Sequence, residues 1–416
     1  MPPNYNEIRD LVAAAPCGER KGRAIGPGHP PAATLRKGLR QANSVTSDLP
    51  GGKGGTMEAA VNAAKGQVRS DDRTRLAPAS PFQFTGKAGE YFKIWIVNIL
   101  LTILTLGIYS AWAKVRRKRY FYGNTLLQES AFEYLAEPMQ ILKGRLIAFA
   151  IFVVYLVVTS MVPPVAPVLG LAFMAVLPWL VVKAHAFNAR YSAYRNIRFD
   201  FRANYGEAVG VYIGLALLAG ITLGLAYPYY AYRRSRFVMA HSGYGITPFT
   251  FSAPAKAFYM IYLKAVLIAI LGGVVASVIV GMLQAGLAAG EPGKVPAYVM
   301  TLFPVFVIVV FLWVWVYIKT ASANLVWSNT ALERHRLRST LKTSKMLWLY
   351  ITNALAIALS LGLMIPWAQI RTTRYRLENM AVLTAGDLDG FVASQREGVA
   401  SAGEEIADFF DFDVGI

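Results

Sequence analysis

From Phe82 onward, long apolar runs follow one another, separated by short polar or basic stretches: 91–112, 146–162, 168–187, 208–230, 258–283, 298–318 and 346–367. Most approach or exceed the roughly 20 residues an α-helix needs to cross a hydrocarbon core about 30 Å thick. None keeps the polar face that a helix packed into a soluble protein turns towards water. The pattern predicts an all-α polytopic membrane protein with seven apolar segments. The first 80 residues are different, rich in Pro, Gly and Ala (GPGHPPAATLRKG, LPGGKGG) without a sustained apolar period. Such a stretch buries too little surface to offset ordering entropy, so 1–80 is expected to be a disordered tail. MPPNYNEIRD lacks a basic region followed by an apolar one, so that tail is expected to stay in the cytoplasm. Met57, opening MEAAVNAAKG, offers an alternative start to Met1. The membrane domain is expected over 81–384, followed by an acidic disordered tail, 385–416, in which Asp and Glu alternate with Phe409, Phe410 and Phe412.

Three segments align without a gap over 21 residues: TLGIYSAWAKVRRKRYFYGNT from Thr105, TLGLAYPYYAYRRSRFVMAHS from Thr222 and SLGLMIPWAQIRTTRYRLENM from Ser360. Flanking matches, such as Phe82 and Phe84 with Phe199 and Phe201, extend the repeat cores to 82–134, 199–251 and 337–383. Between them lie paired spans, 146–187 and 258–318, in which Trp179 and Lys183 align with Trp315 and Lys319. The plan is a threefold internal motif repeat: motif, hairpin, motif, hairpin, motif.

The first motif copy, after the opening Phe82, Phe84 and Gly86 and the run YFKIW, resembles the YjgN-like family, bacterial inner-membrane proteins built around a domain of unknown function. The resemblance covers about 81–383 and leaves both tails outside. It implies a polytopic protein of the bacterial inner membrane and supplies no catalytic or binding residues.

Charge adds a topology. The chain is only 16% charged yet carries 42 Lys plus Arg against 24 Asp plus Glu, a formal net charge of +18. Basic residues cluster at 116–119, 190–202, 233–236, 334–345 and 371–376, on the flanks of the motif segments, whereas MVPPVAP in the first paired span is uncharged. Under the positive-inside rule, seven full crossings from an inward N-terminus would put the basic clusters at 116–119 and 371–376 outside, against the rule. If each motif segment instead enters and leaves on the cytoplasmic side, bent at its Leu-Gly step, all basic loops lie inside with four crossings. Both arrangements remain open, because the motif runs are long enough to span. Gly107, Gly224, Gly362, Pro228 and Pro366 are the expected helix breaks.

Candidate functional residues follow from these positions. Asn98 and Asn353 sit inside apolar runs, where an amide needs a partner and marks either a packing bond or a polar pathway. Lys183 and Lys319 lie near span ends, where a lysine snorkels to the interface or serves a pathway. The pairs Arg116 and Arg119, Arg233 and Arg236, Arg371 and Arg374 stand one helical turn apart beside an aromatic ring, a spacing suited to anionic lipid or another anionic ligand as well as to simple anchoring. Small residues four apart, Ala269, Gly273, Ser277, Gly281, Ala285 and Ala289 on one face and Gly210 with Gly214 on another, predict close helix packing within the chain or in a homo-oligomer. One cysteine and four scattered histidines argue against a metal site, no cofactor motif is present, and the dispersed basic residues argue against nucleic acid. The expected partner is the lipid bilayer. A small-solute transporter or channel is the leading functional expectation, built on the repeats and broken helices. The alternative is a non-transporting lipid-binding or scaffold protein in envelope maintenance, and an enzyme is not expected.

Overall fold

The computed structural model describes residues 79–287, 297–384 and 389–399. The expected tail up to residue 78, the linker 288–296 and the chain beyond 399 lie outside the described residues.

Helices dominate, but the expected all-α class needs correction, because ten short strands alternate with them. In chain order the elements are β1 (Ala79–Phe84), α1 (Ala88–Leu104), α2 (Ser110–Gly123), β2 (Thr125–Leu127), β3 (Phe132–Tyr134), α3 (Pro138–Met161), α4 (Ala166–Arg190), β4 (Ser192–Tyr194) and β5 (Ile197–Phe201). They continue with α5 (Tyr205–Ile221), α6 (Tyr227–Ala240), β6 (Ser242–Tyr244), β7 (Thr247–Phe251), α7 (Ala255–Leu287), α8 (Ala297–Ser328), β8 (Thr330–Leu332), β9 (His335–Ser339), α9 (Thr343–Leu359), α10 (Ile365–Glu378), β10 (Met380–Leu383) and a final helix α11 (389–399). The chain thus builds five helical hairpins in the order short, long, short, long, short, with a β-hairpin between each.

The strands form one antiparallel sheet in the order β2-β1-β10-β9-β8-β7-β6-β5-β4-β3. Its two ends, β2 and β3, are joined by a two-residue turn, and Leu127 bridges Ser130 across it. The sheet curls on itself, since residues of all ten strands wall a single apolar cavity of about 70 Å³. Alternation explains the lumen: in an F-x-F strand both rings face the same side. Phe82, Phe132, Phe199 and Phe249 stack in succession around the ring at 6.1, 6.5 and 6.5 Å, with Leu337 in the same position on β9. A second layer consists of the residues just before the two-residue turns, Leu127, Tyr194, Tyr244 and Leu332. There Tyr244 Oη donates to the Tyr194 carbonyl at 3.0 Å and Tyr194 Oη to the Leu127 carbonyl at 2.8 Å, so each hairpin is tied to its predecessor. The turns are tight because Gln128, Glu129, Arg195 and Asn196 all take positive φ, the twist that suits a two-residue β-hairpin.

Residues 389–399, expected as part of a disordered tail, form a helix seated on the ring. Phe391 and Val392 are buried, Phe391 stacks on Tyr244 and meets His335 edge-on, and the Ile246 amide donates to Gln395 Oε1 at 3.1 Å. Asp389 pairs with Arg195.

Four helices are long and apolar enough to cross a membrane, those of the two long hairpins, and in each at most 11% of the 18-residue apolar window is buried. Such exposure of apolar side chains along whole helices marks lipid, not protein, as their surroundings. Gly272 approaches Val310 closely enough that a Cβ there would lie 2.8 Å from it, which lets α7 and α8 pack. The expected stripe Gly273, Ser277 and Gly281 is exposed, on a different face from that contact.

Candidate functional site

Each of the three short hairpins turns in the same way. Leu106, Leu223 and Leu361 have φ of 48, 50 and 50°, and the following Gly107, Gly224 and Gly362 have φ of 92, 91 and 93°. The glycine amides bond back to Thr102, Ala219 and Ile357 at 2.7, 2.7 and 2.8 Å, closing the helix end in the six-to-one pattern. All three leucines are 95% exposed and flanked by exposed Ile, Leu or Met. Pro228 and Pro366 stand in the first turn of α6 and α10, where a missing N–H costs nothing. Each run is thus divided into two helices at its Leu-Gly step, and in the second and third hairpins a proline opens the second helix.

Below the turns, the basic residues point to unequal partners. In the third hairpin, Arg371 donates to Thr352 Oγ1 at 2.6 Å and to Asn353 Oδ1 at 3.1 Å, and its guanidinium lies 5.0 Å from the Trp367 ring. Asn353, buried, donates in turn to Thr372 Oγ1 at 2.9 Å. Arg374 donates to the Gly86 carbonyl at 2.8 Å. Arg371 and Arg374 line an open cleft of about 350 Å³ with Ala88, Leu349, Trp367, Ile370, Tyr375 and Glu378.

In the first hairpin, Arg116 reaches Tyr109 Oη at 3.1 Å, and Arg119 donates to the carbonyls of Tyr134 and Ala136. Asn98 is buried with no partner for its Oδ1. In the second, Arg233 is 3.7 Å from Glu207, and Arg236 reaches Tyr232 Oη. Lys183 and Lys319 each lie over the tryptophan one turn earlier, at 5.9 Å from Trp179 and 5.0 Å from Trp315, so the amphipathic pairs in α4 and α8 are alike. Lys118, which sequence reasoning passed over inside RRKR, is buried and donates to Asn188 Oδ1 at 3.0 Å, joining α2 to α4. The Asn98, Asn353 and lysine positions are not brought together: the amides lie in short hairpins and the lysines in long ones. No group of three metal-ligating side chains occurs among the described residues.

The family described as "Bacterial protein of unknown function (DUF898)" matches residues 79–409. The chain belongs to it. The match extends past the C-terminal boundary expected from the sequence and takes in α11. The Salmonella typhimurium (strain LT2) protein named "Inner membrane protein YjgN" is 26% identical over 367 residues, 76% of this chain and 90% of the relative. The Escherichia coli K12 protein of the same name is 31% identical over 151 residues, 36% of this chain and 38% of the relative. No solved structure matches. The chain is a YjgN-like membrane protein.

Proposed function

We propose that this YjgN-like chain is a non-enzymatic, one-sided scaffold of the bacterial inner membrane that binds phospholipid headgroups at the roots of its short hairpins. The observation that carries this reading is that every helical hairpin, long or short, starts and ends at the same strand ring. The long hairpins have 24 and 25 residues in α3 and α4, and 33 and 32 in α7 and α8. At 1.5 Å per residue these reach about 36 Å or more, enough to cross twice. The short ones have 17 residues on the way out and 14 on the way back in the first and third, about 25 and 21 Å, enough to dip in and return. Four crossings and three re-entrant hairpins keep the ring, the basic clusters and the N-terminus on the cytoplasmic side, in accord with the positive-inside rule.

Transport draws less support. A transporter encloses polar groups between spans, whereas α3, α4, α7 and α8 leave most of their surface to lipid and Asn98 and Asn353 lie outside them. The test is retention of phospholipid by the purified full-length protein, read by mass spectrometry, beside solute flux in liposomes. The reading expects bound phospholipid that falls severalfold when Arg116, Arg233 and Arg371 are all changed to Gln, with flux at the empty-liposome level. Robust flux, or no lipid retained, would overturn it.

A further inference from the structure

We infer that the cleft of the third hairpin is a site for a zwitterionic phosphoethanolamine headgroup, with the lipid phosphate on Arg371 and Arg374 and the ammonium on Glu378. This rests on the lipid-binding reading above and narrows it to one site and one headgroup class. The residues along α10 follow the depth order of a phospholipid. Leu363 is exposed beside the turn, Trp367 comes next, then Arg371, Arg374 with Tyr375, and Glu378 at the strand end. With a rise of 1.5 Å per residue, Arg374 and Glu378 are about 6 Å apart along the axis, close to the spacing of phosphate and ammonium across an ethanolamine. Acyl chains would run towards the apolar turn, the phosphate would sit beside the guanidinium groups, and the ammonium would face the aqueous side.

The charges of the cleft point the same way. The partners of Arg371 are a hydroxyl, an amide oxygen and a ring, and Arg374 donates to a backbone carbonyl. Both therefore hold neutral acceptors and can accept an anion, for which paired guanidinium groups are well shaped. Glu378 forms no ion pair among the described residues, and its carboxylate stands in the same cleft. Two cations and one anion suit a group carrying phosphate and ammonium better than a purely anionic one, for which Glu378 would be repulsive. The other hairpins lack the set. Gly123 and Ala240 stand where the third has Glu378, Arg233 faces Glu207, and Arg116 is turned to Tyr109.

The test uses full-length protein in nanodiscs of equal phosphatidylethanolamine and phosphatidylglycerol, with retained lipid counted after extraction into detergent. Wild type is expected to retain the ethanolamine lipid in excess. Glu378→Gln should lower the ethanolamine-to-glycerol ratio by about fivefold while total lipid is kept, the size expected of one charge near a headgroup. Arg371→Gln should lower both lipids. Circular dichroism and thermal midpoint of Glu378→Gln, an exposed side chain, should match wild type. Water-soluble glycerophosphoethanolamine should not displace the lipid, because it lacks the acyl chains that reach the turn. An unchanged ratio in Glu378→Gln, or full displacement by the soluble headgroup, would overturn the inference. If wild type retains no lipid at all, the broader lipid-binding reading fails with it, which separates the two failures.

Discussion

Leucine in the left-handed region is costly, about 1 to 2 kcal/mol, and glycine is the usual residue there. Yet Leu106, Leu223 and Leu361 all take that conformation, with glycine one place later. In water the arrangement would lose twice, through strain and through 95% exposure of an apolar side chain. Inside hydrocarbon the balance reverses, because burying a leucine is worth about 1.5 to 3 kcal/mol. The three turns therefore make physical sense only at a membrane. Replacing Gly362 by Ala puts a Cβ at φ 93° and should destabilise the protein in detergent by about 1 kcal/mol, read from the thermal midpoint. An unchanged or raised midpoint, as Gly→Ala gives on a helix surface, would contradict the assigned turn. The two asparagines separate by their bonds. Asn353→Leu strips Arg371 and Thr372 of a shared partner and should cost about 1 to 3 kcal/mol, whereas Asn98→Leu removes an oxygen that has no partner and should be near neutral. Equal losses for the two variants would argue against this account of the amides.

Among the elements, helices and their breaks were legible from the sequence because apolar runs of about 20 residues and Leu-Gly steps carry strong signals. The strands were not. Each has three to six residues, short enough to pass as loop between helices, although the alternation in FQF, FEY, FDF and FTF is the strand period itself. Those pairs register in the sequence as repeat markers, and only the ring shows that their first rings stack in one layer. Arg119 and Arg374 were legible as interfacial cations, but their bonds to the carbonyls of Tyr134, Ala136 and Gly86 depend on strand ends that no local pattern announces. Helix α11 was hidden by the acidic composition around it, since only Phe391, Val392 and Gln395 of it are buried. Its seat contains His335, which is buried with Nδ1 unpartnered and whose pKa burial lowers from the ordinary 6.5, with Glu333 opposing. A lowered histidine binds its proton more readily when exposed, so seating of α11 should be full above about pH 6.5 and weaken as pH falls below it. Hydrogen exchange across 389–399, corrected for intrinsic rates, should rise between about pH 7.5 and 5.5, and His335→Gln should flatten that change. No difference between the two pH values would remove His335 as the cause.

For the whole molecule, the central claim is that five helical hairpins rise from one side of a closed strand ring, two crossing the membrane and returning, three dipping in. The turns at Gln128 and Glu333 close two β-hairpins of the same ring, separated by β1 and β10, while Ala166 begins α4 at the far end of a long hairpin. Seven crossings would separate Gln128 from Glu333 by the thickness of the membrane. The most direct measurement removes the single Cys17, places one cysteine at a time at Gln128, Glu333 and Ala166, and labels intact cells with a membrane-impermeant thiol reagent. The account predicts labelling at Ala166 with protection at both Gln128 and Glu333, the protected sites reacting once the membrane is permeabilised. Labelling at Gln128 with protection at Glu333 would contradict it, splitting the ring across the bilayer and establishing full crossings for the short hairpins.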